Sequence, residues 1–133
     1  MSNSKHVKGS CLCGNITLFV ETFDRGVVAC HCKQCRKQTG HFVAATRVDN
    51  DKLVIEGEES LTWFRASEDA ERGFCSCCGS VLFWRRDDSD KTSIMAGCFD
   101  GDTGLTIDRH IFVADKGDYY EINDGAKEFP QAD

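Results

Sequence analysis

Proline is almost absent: Pro130 is the only one in 133 residues. No stretch is low in complexity and no segment repeats, which excludes an array of stacked units. No apolar run approaches the about 18 residues that suggest a membrane-spanning helix, so no membrane association is expected. The opening Met1-Ser2-Asn3-Ser4-Lys5-His6 has no apolar run behind it, so a secretory leader is not expected and a cytoplasmic setting is. A reducing compartment of that kind disfavours disulfides. Cations are in deficit: 16 Lys and Arg against 22 Asp and Glu give a formal charge of −6. Nucleic acids and anionic membranes are bound through clustered cations, so neither is an expected partner.

The length suits one domain spanning residues 1–133, and 41% hydrophobic with 29% charged residues reads as soluble and globular. What stands out is cysteine, with nine in the chain. They fall as Cys11-x-Cys13, Cys30-x-Cys32-x-x-Cys35, Cys75-x-Cys77-Cys78 and a lone Cys98. An odd count at such short gaps suits metal binding better than a disulfide framework, and a direct Cys11–Cys13 bridge would be badly strained.

The apolar runs are short and rich in β-branched and aromatic residues. Ile16–Val20, Val27–Ala29, Phe42–Val48, Val81–Trp84, Thr92–Ala96, Ile111–Val113 and Tyr119–Ile122 all read as strands. Leu53–Glu56 and Ser60–Phe64, separated by Gly57-Glu58-Glu59, read as a hairpin. Turn signals such as Asp24-Arg25-Gly26 and Asn123-Asp124-Gly125 lie between the runs. This predicts an all-β fold of mainly antiparallel short strands with metal-bound loops and little helix. The one expected helical turn is Gln34–Thr39.

Two metal sites are expected. Cys13 and Cys78 are each followed by glycine (Gly14 and Gly79), which lets a metal knuckle turn tightly and aim backbone N–H groups at the sulfurs. Pairing Cys11 and Cys13 with Cys75 and Cys78 gives a closed four-thiolate structural Zn²⁺ site. Cys77 is the alternative ligand in that group, and iron or an iron–sulfur cluster is the alternative occupant. Cys30, Cys32 and Cys35 give a second Zn²⁺ site with three thiolates and an open fourth position, the pattern of a catalytic centre. Three thiolates make zinc a weak Lewis acid, so exchange with a further soft ligand, a thiol, is the expected chemistry.

The surroundings carry the opposite charge to the rest of the chain. Between Val27 and Val48 there is no acidic residue, whereas Lys33, Arg36, Lys37 and Arg47 all occur there. They are candidates for holding the carboxylates of a small peptide, or else form a solvated basic face. His31, His41, Cys77 and Cys98 are candidates to fill the fourth position. His31 is expected to point away from its two cysteine neighbours, and His41 is also a candidate proton carrier. Phe42, Phe74, Phe83, Trp84 and Phe99 either line a pocket or pack the core. A thioredoxin-type reading of Cys32-x-x-Cys35 is disfavoured by the extra Cys30 and the strand-rich pattern.

Four stretches carry a resemblance to a known family: Gly9-Ser10-Cys11-Leu12-Cys13-Gly14, Cys30-His31-Cys32-Lys33-Gln34-Cys35-Arg36-Lys37-Gln38-Thr39-Gly40, Arg72-Gly73-Phe74-Cys75-Ser76-Cys77-Cys78-Gly79-Ser80 and His110-Ile111-Phe112-Val113. In order and spacing the chain resembles the glutathione-dependent formaldehyde-activating enzyme and centromere protein V superfamily. The resemblance implies a β-tent fold of antiparallel sheets. It also implies a structural zinc on Cys11, Cys13, Cys75 and Cys78 and a catalytic zinc on Cys30, Cys32 and Cys35. The activity it implies is carbon–sulfur lyase chemistry: condensation of glutathione with formaldehyde to S-hydroxymethylglutathione, and its reverse. A small thiol such as glutathione is then the expected substrate. The competing expectations are a non-catalytic, zinc-stabilised protein-binding module and a thiol-based sensor using Cys77 and Cys98. Tyr119-Tyr120 stands where many relatives have tryptophan.

Overall fold

A computed structural model describes residues 6–132. The leader expectation for residues 1–5 lies outside them. The chain divides into two compact units, residues 1–25 with 46–104, and residues 26–45 with 105–133.

The first unit holds two antiparallel groups of strands. In one, β1 (Val7–Ser10) pairs with β2 (Thr17–Val20). β2 in turn pairs with the strand Leu53–Glu56 (β5, two further strands intervening in the chain). Alternation along β2 turns Leu18 and Val20 inward, where both are fully buried. In the other group, β6 (Leu61–Arg65), β7 (Ala70–Cys75), β8 (Val81–Arg86) and β9 (Lys91–Met95) follow one another as antiparallel neighbours. Ile16, Leu18, Val20, Val48, Leu82, Phe83 and Ile94 form the core of this unit, with Phe99 at its margin. Each such side chain contributes about 1.5–3 kcal/mol on burial. Phe83 and Phe99 therefore pack the core.

The expected hairpin over residues 53–64 does not form. β5 pairs with β2 and β6 with β7. Gly57 takes a left-handed conformation (φ 85°) and opens a 3-10 turn over Glu58–Ser60, which sends the two strands to different partners. The backbone carbonyl of Asn15 lies where a Cβ on residue 57 would sit, so that approach requires glycine.

The second unit is built around parallel pairs, a departure from the mainly antiparallel pattern elsewhere. β10 (Ile107–Ile111) lies parallel to β3 (Arg25–Cys30) with Ile111 opposite Cys30, and parallel to β11 (Lys127–Glu128). The helix α1 (Lys33–Thr39) follows β3 and ends at Gly40, whose φ of 87° makes the left-handed cap. The strand Val43–Asp49 (β4) begins in this unit and ends in the first. The strand expected at Ile111–Val113 lies earlier, because Phe112 takes a left-handed conformation and Val113–Asp115 coil into a 3-10 turn. Tyr119–Ile122 form no strand. Among the described residues no helix is long and apolar enough to cross a membrane.

Candidate metal centres

Two cysteine groups bring their sulfurs together, each with all its sulfurs within 4.8 Å of one another. Both could hold a metal ion.

The first group is Cys11, Cys13, Cys75 and Cys78, all in the first unit. Its two knuckles are built alike. Gly14 N–H donates to the Cys11 carbonyl and Gly79 N–H to the Cys75 carbonyl, and both glycines have positive φ, 83° and 81°. Ile16 N–H donates to the Cys11 sulfur. A hydroxyl on Ser80, 3.2 Å from the Cys78 sulfur, holds that thiol down to about 5. Sulfurs on a tetrahedral Zn²⁺ with bonds of about 2.3 Å stand about 3.8 Å apart. Cys11 to Cys13 is 3.7 Å and Cys13 to Cys75 is 3.8 Å, so the donor set fits such an ion. Cys77 stays out of the group. It is exposed and accepts a hydrogen bond from Asn15 Nδ2 at 3.2 Å. Cys98 is also apart, packed against Gly9, and burial pushes its thiol up to about 12.

The second group is Cys30, Cys32 and Cys35, all in the second unit. Cys30 ends β3, Cys32 caps α1 and Cys35 sits on the buried side of its first turn. The Cys32 sulfur accepts from Cys35 N–H at 3.4 Å, so the helix start itself orients one sulfur. Hydrogen bonds from Cys30, then Cys35, hold the Cys32 thiol far below the ordinary thiol range, while the same contacts push Cys30 up. One thiolate is thus favoured in the trio, while a second is opposed unless a cation joins it. Among the described residues no fourth sulfur or imidazole completes the group.

His31 does point away from the sulfurs. It is fully buried, with Nε2 2.9 Å from His110 Nδ1 and with Nδ1 hydrogen-bonded to the Tyr120 hydroxyl. His110 Nε2 lies 2.9 Å from Asp124 Oδ2. Burial, and then the neighbouring His110, hold His31 down to about 4, so it is neutral at neutral pH. His41 is exposed and its Nδ1 lies 2.6 Å from the Tyr119 hydroxyl. Phe42 packs between the two histidines, at 4.8 Å from His31 and 4.4 Å from His41 between ring centres.

The four basic candidates divide. Lys33 and Lys37 stand exposed one turn apart on α1. Arg36 donates from Nη1 to the Asp115 carbonyl at 2.7 Å. Arg47 lies in the first unit, where it forms an ion pair with Asp24 at 2.6 Å.

The family model for the glutathione-dependent formaldehyde-activating enzyme matches residues 6–115. That is most of the chain. The protein belongs to the glutathione-dependent formaldehyde-activating enzyme family. It is 29% identical over 116 residues to an uncharacterized lyase of Schizosaccharomyces pombe, covering 86% of this chain and 84% of that one. It is also similar to a crystal structure of a Rhodobacter sphaeroides protein, with a TM-score of 0.59 and 25% identity over 73% of this chain and 91% of the other.

The match to this family takes in all seven clustered cysteines and His110, and stops before Tyr119, Tyr120 and Asp124. Sequence reasoning did not single out those three residues, whose side chains are hydrogen-bonded to His41, His31 and His110. Tyr119 and Tyr120 gave a strand signal, and Asp124 gave a turn signal. The hint was the run of aromatic and acidic residues between β10 and β11, which carries no spacing rule.

Proposed function

We propose that the chain is a zinc-dependent carbon–sulfur lyase acting on the adduct of a small, glutathione-like thiol with an aldehyde. The reaction is the addition of glutathione to formaldehyde and its reversal. In the forward direction the sulfur–carbon bond forms, the carbonyl π bond opens, and the thiol proton ends on the new hydroxyl oxygen, with no change in oxidation state. The observation that carries the reading is the trio Cys30, Cys32 and Cys35, a three-sulfur group in a member of this family.

Zn²⁺ on that trio would keep a substrate sulfur deprotonated at neutral pH. Cys30, Cys32 and Cys35 would hold the ion, and Cys11, Cys13, Cys75 and Cys78 would hold a second, structural one. Lys33 and Lys37 would take the carboxylates of the peptide, since both cations are exposed and one helical turn apart. Arg36 and Arg47 serve less directly, being engaged with the Asp115 carbonyl and Asp24. His41, with its Nδ1 on the Tyr119 hydroxyl, is the exposed imidazole that would carry a proton at the rim.

The test is to mix the metal-loaded protein with glutathione and formaldehyde and to follow adduct formation against the uncatalysed background. Acceleration is expected. No acceleration with two equivalents of zinc bound rules out this substrate pair.

A further inference from the structure

We propose that residues 116–124 form a latch that holds the segment carrying Cys32 and Cys35 in its sulfur-gathering conformation, so that Tyr119 and Tyr120 are positioning residues for the second metal centre. The inference rests on the reading of Cys30, Cys32 and Cys35 as a zinc site and needs nothing from the identity of the substrate.

The sulfur-bearing segment has little of its own to hold it. Cys32 caps α1 and Cys35 lies in its first turn, and α1 has seven residues. Helices shorter than about 12–15 residues are marginal in water, so such a helix depends on what holds it from outside. Helices in folded proteins are usually held by an apolar stripe packed on a core. The residues of α1, Lys-Gln-Cys-Arg-Lys-Gln-Thr, offer no aliphatic or aromatic side chain, and Cys35 is the one buried among them.

The latch supplies that restraint through side chains. Between the 3-10 turn Val113–Asp115 and β11 the chain forms neither helix nor strand. Three ties fasten it to residues 31–41. His31, between Cys30 and Cys32, is hydrogen-bonded through Nδ1 to the Tyr120 hydroxyl. Arg36, next to Cys35, donates from Nη1 to the Asp115 carbonyl at 2.7 Å. His41, just past the left-handed Gly40, has Nδ1 2.6 Å from the Tyr119 hydroxyl. The ties fall before, on and after α1, so the helix cannot shift without breaking one of them.

The latch is itself well anchored. At its far end Asp124 Oδ2 lies 2.9 Å from His110 Nε2, and His110 Nδ1 lies 2.9 Å from His31 Nε2, so His31 is reached from both ends. Lys116 Nζ donates to the carbonyls of Gly117 and Tyr120, which folds the latch on itself. The Tyr120 ring meets His41 at 4.6 Å, Tyr119 at 4.9 Å and Phe42 at 6.0 Å. Gly117 leaves room for the Tyr119 ring, whose Cε1 would lie 2.5 Å from a Cβ at that position. A metal entering a segment already ordered in this way does not lose affinity to ordering it. Groups that orient ligands from behind are worth about 10–100-fold in metal affinity.

Tyr119→Phe combined with Tyr120→Phe deletes both hydroxyls and keeps both rings. Zinc is withdrawn from the loaded protein with graded concentrations of a chromophoric chelator, and Cys32→Ser identifies the phase that belongs to the trio. Cys11, Cys13, Cys75 and Cys78 lie in the other unit and serve as the internal control. The trio's zinc affinity should fall about 10–100-fold while the four-cysteine phase stays native. An unchanged trio, or equal losses at both sites, overturns the positioning role. Coupling of this kind is reciprocal, so Cys32→Ser, which empties the trio, should quicken amide exchange across residues 117–124. Exchange there at the native rate overturns the coupling. A native protein that releases a single zinc overturns the zinc reading of the trio and the latch role with it. Two zinc ions released, with the double variant matching the native protein, overturns the latch role alone.

Discussion

The Cys13 sulfur lies 3.8 Å from the Cys75 sulfur, across 62 positions of sequence. That closure ties the turn after β1 to the end of β7, and the buried Cys11 and Cys75 belong to the same core as Phe83. A four-thiolate zinc contributes about 10–16 kcal/mol of apparent binding free energy, against about 5–15 kcal/mol of net stability for a whole domain. Cys75→Ser or Cys78→Ser should therefore yield protein without a cooperative melt. Cys77→Ser should melt like the native chain, since Cys77 is exposed and outside the group. A soluble, cooperatively melting Cys78→Ser protein would sink the assignment.

Cys32→Ser should behave differently. Serine is among the preferred helix N-caps, so its oxygen can take over the bond that the Cys32 sulfur now accepts from Cys35 N–H. The helix α1 should survive while the trio loses a soft donor. Elemental analysis should fall from two zinc ions per chain to one, and adduct formation should drop to the uncatalysed rate with the circular dichroism spectrum retained. Catalysis at the native rate by that variant would remove the trio from the reaction.

How much of this was open to reading in the sequence follows from where each signal lives. Metal knuckles are local: Cys11-x-Cys13-Gly14 and Cys75-x-x-Cys78-Gly79 announce both ligands and the positive-φ turn beside them. The helix after Cys32 was legible for the same reason. Strand partners are not local. Leu53–Glu56 and Leu61–Arg65 look like a hairpin because each is a good strand and a glycine lies between them, yet the choice of β2 and β7 as partners is made by burial of Leu18 and by the Asn15 carbonyl against Gly57. The Tyr120 hydroxyl bonds to an imidazole 89 positions away, and no spacing rule reaches that far. The parallel pairing of β10 with β3, which brings Ile111 opposite Cys30, was hidden likewise.

Lys33 and Lys37 offer a test of substrate grip. Both are exposed and one turn apart, so replacing both by alanine leaves the fold untouched. Each exposed ion pair with a peptide carboxylate is worth about 0.2–1 kcal/mol, so the pair should raise KM for glutathione between about twofold and thirtyfold with kcat held. The effect should shrink as salt is added, because exposed charges are screened. A fall in kcat at constant KM would show that these lysines do something other than bind.

Arg47 calls for the opposite pattern, because its guanidinium is spent on Asp24. Arg47, first through its hydrogen bond, and then Lys91 hold the Asp24 carboxyl below its ordinary value. A carboxyl lowered by folding adds stability that is complete above its unfolded pKa of about 3.9 and is lost as the pH falls through the lower, folded value. Arg47→Ala should therefore cost about 0.2–1 kcal/mol, the range for a partly exposed pair, at pH 6–7. The gap between native and variant should stay level down to about pH 5 and close below about pH 4, as Asp24 takes up its proton in both states. Urea melts across that range check it, with KM for glutathione measured alongside. An unchanged melt with a raised KM would move Arg47 from the fold to the substrate.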